Sequence, residues 1–154
     1  MGDIIPITIK TFDQKETEHV FSLLKLMFMS VDNQDFTPIF PYVSERKGIF
    51  IDLKSWKSKE DFIKEITDKN SFLFSYYCNT QNLRKITNDE NQTSLLDLLK
   101  KTHQIKADFY LISETEMELK IHLLDMPHES YRFNNPYFIK EIKEQNHWYI
   151  YRLF

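Results

Sequence analysis

Acid-base or metal chemistry would begin at histidine, cysteine and carboxylate side chains, so their spacing is read first. His122 lies in an alternating stretch, with Glu118 and Lys120 on its own polar side. An imidazole beside a carboxylate can do general acid-base work, because it titrates near neutral pH. His147, next to a turn-like Gln145-Asn146, is the candidate partner. The plainer reading is a solvated sheet face, and no residue is assigned a catalytic role. His122 and His128 are six apart across Pro127, which is not a zinc spacing, and the single cysteine leaves no pair to complete a structural site. No metal site is expected. Cys78 closes an aromatic stretch and reads as a buried thiol, since a nucleophile needs an activating base nearby. Phosphate-cradling loops need clustered glycines, and Gly2 and Gly48 are the whole supply. No cofactor is expected.

A second set of residues has the chemistry of recognition. Asp32 and Asp35 precede Phe36, Phe40 and Tyr42 in the stretch 31–47, which has no clear periodicity and contains Pro38 and Pro41. Irregular connections longer than ~12 to 15 residues are more often functional or disordered than merely connective. Glu114 and Glu116 lie at a second turn. Acidic residues around aromatic anchors make a surface suited to a basic protein partner. Asp32, Asp35, Phe36, Phe40, Tyr42, Glu114 and Glu116 are therefore the candidate partner-binding residues. The competing reading is that the three aromatics only pin the loop to the core.

The elements that must position these residues follow from periodicity. The stretch 107–124 reads as a β-hairpin turning at 113–115. In its second strand Met117, Leu119, Ile121 and Leu123 share one face, and Glu116, Glu118, Lys120 and His122 the other. That sheet has one wet side and one dry side needing a cover. Ile4 to Lys10, holding Pro6, suits an edge strand. Asp13 followed by Glu16 reads as a capped helix start, and the helix continues to about Ser30 with Val20, Leu23, Leu24 and Met27 at helical spacing. Residues 48–53 read as a strand, and Ser58 caps a helix carrying Phe62, Ile63 and Ile66. Residues 71–78, dense in aromatics, read as a central strand. Residues 79–93 read as polar turns with a short strand at 83–86, and Ser94 caps a third helix. The stretch 136–154 admits either a helix from Asn135-Pro136 followed by a strand, or a hairpin. Trp148, Tyr149, Ile150 and Tyr151 favour the hairpin.

Together these give an α+β fold: a mainly antiparallel sheet with about three helices, mostly packed on one face, in one domain spanning 1–154. Ordinary shares of hydrophobic (42%) and charged (28%) residues exclude a disordered chain. The formal charge of −3 is spread evenly, without the basic block that nucleic-acid binding relies on. The longest apolar run, Leu23 to Met29, contains Lys25 and is too short for a membrane span. One cysteine fits a reducing cytoplasm. Scarce Ala, Gly and Arg beside abundant Lys, Asn, Ile and Phe point to an AT-rich microbial gene. The profile fits a small cytoplasmic module that binds and inhibits another protein, such as an immunity protein neutralising a basic toxin domain. The alternative is a small enzyme or ligand-binding domain with an aromatic pocket and a histidine base.

Overall fold

The computed structural model describes residues 3–8, 14–141 and 147–154. The expected cap at Asp13 and the turn at Gln145-Asn146 lie outside them. Among the described residues seven strands form one sheet: β1 (Asp3–Thr8), β2 (Ile49–Phe50), β3 (Trp56–Lys57), β4 (Gln104–Ser113), β5 (Glu116–Leu123), β6 (Tyr137–Glu141) and β7 (His147–Arg152). Their spatial order is β1-β4-β5-β6-β7-β2-β3. The helices are α1 (Gln14–Asp32), α2 (Lys59–Thr67), α3 (Phe72–Cys78), α4 (Thr80–Thr87) and α5 (Leu95–Lys101), with 3-10 helices at Thr37–Tyr42 and Pro127–Arg132.

The α+β class stands, but two parts of the expected fold do not. The sheet is mixed, because β1 runs parallel to β4 and β2 parallel to β7. Among the described residues seven helical segments, two of them 3-10, replace the expected three. Much of the difference comes from residues 71–93. Residues 71–78 were expected as a strand and form α3, whose N-cap Ser71 accepts a hydrogen bond from the Phe74 amide. A short apolar run has no periodicity to distinguish a buried helix from a buried strand. Asn79 then caps α4, accepting from the Asn82 amide, where polar turns and a short strand were expected. Asn88 closes α4 in the left-handed conformation at φ 52°, which Asn tolerates better than most residues. The stretch 31–47 is not structureless either. The Asp35 carboxylate accepts from the Thr37 amide and hydroxyl, and Pro38 stands in the first turn of the 3-10 helix that follows, where its missing N–H costs nothing.

The hairpin at 107–124 forms as β4 and β5, with Ala107 opposite Ile121 and Phe109 opposite Leu119. Of the two alternatives for the last segment the hairpin is found: β6 and β7 pair antiparallel, with Phe138 opposite Ile150. The inner face of the sheet, with Phe109, Leu119, Ile121, Phe138, Trp148 and Ile150, joins the apolar sides of α1, α3 and α5 in one continuous buried cluster. Phe28 of α1 stacks on Phe154 at 4.7 Å. The outer face carries the polar alternation and the candidate site.

Candidate functional site on the outer sheet face

Strand alternation dictates which residues reach the outer face. Glu116, Glu118, Lys120 and His122 leave β5 on the side opposite its buried Met117, Leu119, Ile121 and Leu123. Register puts Ile139 of β6 beside Glu116, and Tyr137 beside Glu118. The ladder shifts between Tyr137 and Phe138. Tyr137 thereby lies opposite Arg152, whose guanidinium sits over the Tyr137 ring at 5.3 Å. Arg152 also pairs with Glu118 at 2.9 Å and donates to the Asn135 carbonyl at 2.7 Å.

Two grooves meet at Glu116. One, of about 210 Å³, is lined by Phe50, Leu53, Glu116, Tyr137, Tyr151 and Arg152. Phe50 meets Tyr151 edge to face at 5.3 Å, and Tyr137 lies 6.4 Å from Tyr151. Burial pushes the Tyr137 phenol up to about 12, aided by the Glu116 and Glu118 charges and a hydrogen bond to Glu116, with Arg152 opposing. The phenol therefore stays protonated at neutral pH. The other groove, of about 230 Å³, is lined by Arg46, Lys47, Thr115, Glu116, Ile139, Lys140 and Glu141. There the buried Glu141 accepts from the Ser44 hydroxyl at 3.0 Å and lies 3.7 Å from Arg46. Leu53 is 70% exposed beside the first groove, and Trp56, on the same β2–β3 hairpin, is 52% exposed.

The residues singled out from the sequence fall into two groups. Asp32 ends α1 exposed, and Asp35 is exposed with its carboxyl held below the usual range by the Thr37 hydroxyl and amide. Phe36 is only 5% exposed, against the rings of Phe74 and Tyr77. Phe40 packs on Phe62, and Tyr42 stacks on His147 at 5.4 Å. These aromatics turn into the body of the protein. Glu114 is exposed at the β4–β5 turn and Glu116 borders both grooves. Among the described hydrogen bonds and ion pairs, none joins Asp32 or Asp35 to Glu114 or Glu116. The aromatics beside Glu116 are Phe50, Tyr137 and Tyr151, which sequence reasoning did not select. Outward parity of Tyr137 in the hairpin reading was the available signal.

The histidines are distributed differently from the expected pairing. His122 Nε2 lies 3.0 Å from Asp108 Oδ2, and the other Asp108 oxygen lies 3.4 Å from the Lys106 ammonium without forming a hydrogen bond. Asp108 is 7% exposed. A carboxylate so placed orients an imidazole as it would for a general base, yet the couple lines neither groove. His147 stacks on Tyr42 and approaches His19 at 6.1 Å. Burial, then the nearby His147 charge, lowers the His19 pKa, with Glu16 opposing. Exposed His128 lies 3.7 Å from Glu129. Burial pushes the Cys78 thiol up to about 12, so it carries almost no thiolate at neutral pH. Cys78 lines a broad, polar groove with Asn79, Thr80, Arg84, Lys85 and Asp97.

No protein-family model, curated protein or solved structure matches this chain. Among the described residues no group of three or more His, Cys, Asp or Glu side chains is placed to hold a metal ion. No described helix is long and apolar enough to cross a membrane.

Proposed function

We propose that this chain is a protein-binding module that inhibits its partner by covering it, with the outer sheet face around Glu116 as the docking surface. The observation that carries this reading is the pairing of exposed Leu53 and Trp56 with an aromatic groove lined by Glu116 and Arg152, the latter paired with Glu118. Protein interfaces combine an aromatic, apolar centre with a polar rim in this way, and a few such anchors carry most of their affinity. An immunity protein silencing a basic toxin domain in the cytoplasm is the specific form we favour. The free, buried Cys78 suits that compartment.

At Glu116, groove size favours binding of a side chain over binding of a metabolite. Both grooves at Glu116 are smaller than the ~300 Å³ at which small-molecule pockets begin. The enzyme alternative rests on the His122–Asp108 couple. The test is capture from the native cells with the wild-type chain and three variants. Leu53→Asp and Tyr151→Ala should each lose a stoichiometric partner that Ile86→Asp, on the exposed side of α4, retains. Equal capture by all four chains would place the docking surface elsewhere. Loss of the partner's own activity in the complex would support inhibition, and unchanged activity would refute it.

A further inference from the structure

We infer that the groove formed by Glu116, Phe50, Tyr137 and Tyr151 is a receptor for one arginine side chain of the partner. The inference rests on the docking reading above and names what the docking face recognises.

The charge pattern along the outer face supports an incoming cation. Glu118 is paired with Arg152 and Glu141 lies near Arg46. Among the described residues Glu116 has no such cation. Its polar contacts are the Ser113 hydroxyl at 3.3 Å and the Tyr137 phenol. An anion entering the groove would meet this carboxylate. The opposing charge of Arg152 is already engaged, through Nε to the Asn135 carbonyl and through Nη2 to Glu118.

The walls favour a planar cation over a spherical one. Phe50 and Tyr151 stand nearly perpendicular, at 81°, and touch edge to face, so a side chain lying against the pair meets the face of one ring and the edge of the other. Guanidinium stacks on aromatic faces while donating in its plane to a carboxylate, whereas an ammonium is a compact, more strongly hydrated charge. The fold already contains this arrangement once. The Arg152 guanidinium lies over Tyr137 and pairs with Glu118. Glu116 is two residues from Glu118 on the same strand face, roughly 7 Å along the strand. It offers the same chemistry one step farther on, without the arginine. The groove volume of about 210 Å³ suits one long side chain.

The full-length chain, with its tyrosine and phenylalanine rings isotopically labelled, would be titrated by NMR with N-acetyl-arginine amide. The neutral isostere N-acetyl-citrulline amide and N-acetyl-lysine amide serve as comparators. Saturable shifts are expected at the Tyr137, Tyr151 and Phe50 rings. Citrulline should bind at least tenfold more weakly and lysine severalfold more weakly. Glu116→Gln should remove the arginine response, and Glu60→Gln, exposed on α2 away from the groove, should retain it. Should Glu116→Gln perturb the fold, Tyr151→Leu removes a wall without touching the carboxylate and should weaken binding severalfold. Equal responses to arginine and citrulline, retention in Glu116→Gln, or silence of these rings would each overturn the receptor. Silence combined with a partner captured through Leu53 would overturn the receptor and leave the docking reading standing. Arginine-specific shifts without a Leu53-dependent partner would support the receptor and overturn the docking reading.

Discussion

Gly48 shows how one residue without a side chain shapes the edge of the proposed docking face. Its φ is +68°, and a Cβ there would lie 2.4 Å from the Lys57 carbonyl oxygen and 2.6 Å from the Trp56 ring. The Trp56 indole N–H donates to the Lys47 carbonyl at 2.7 Å, fixing the ring across the glycine. Gly48→Ala should therefore cost about 2–4 kcal/mol, combining left-handed strain with overpacking against backbone. Urea unfolding followed by tryptophan fluorescence measures it, and an unchanged midpoint would mean that the β2–β3 hairpin moves aside freely. The role of Gly48 was not legible in the sequence, where glycine scarcity spoke only against phosphate loops. Glu116 was legible because its strand alternates. The direction of Phe36 was not, because a loop aromatic reads alike whether it anchors a partner or the core.

Elements were legible where a pattern ran long enough to have a period. α1 buries Val20, Leu23, Leu24 and Met27 as their spacing requires, and β5 alternates over its whole length. α3 and α4 are seven and eight residues long, and their helical state comes from the Ser71 and Asn79 caps together with burial on neighbouring helices. Where α1 meets β6 and β7, contacts carry a pH dependence. Glu16 of α1 accepts from Lys140 at 2.7 Å and from the Trp148 indole. Burial raises the Glu16 pKa, but these hydrogen bonds and the Lys140 and His19 charges outweigh it and hold the carboxyl below 4.5. The stability it contributes is present above that pH and is lost as pH falls through the folded value. His19 is held below 6.5, so the folded state favours its neutral form. The unfolded chain takes up that proton first, and stability falls as pH drops from about 6.5 through the lower folded value. His19→Gln should flatten the stability curve as pH drops below 7 and keep most of the limb below 4.5, which the Lys140 and Trp148 contacts set more than His19 does. Chemical denaturation at each pH checks this, and parallel curves for the two proteins would rule out His19 as the source.

At the scale of the whole molecule, parallel pairing was the illegible part. Ile5 meets Lys106 and Phe50 meets Arg152 across about a hundred residues each, and a strand's own sequence does not state which distant strand lies beside it. What results is a sheet with one buried face and one face open to solvent. Phe28 lies fully buried inside, touching Phe154 and Phe133. Phe28→Ala should cost about 3–5 kcal/mol, a large share of the roughly 5–15 kcal/mol that holds a domain together. Leu53→Asp, on the proposed docking face, should stay within about 0.5 kcal/mol of the wild type. Denaturation midpoints of the two variants, set beside partner capture, separate folding from recognition. Loss of capture by a Leu53→Asp chain of full stability would locate recognition on this face. A Leu53→Asp chain as unstable as Phe28→Ala would mean that Leu53 belongs to the core, leaving the face too little apolar surface to anchor a partner.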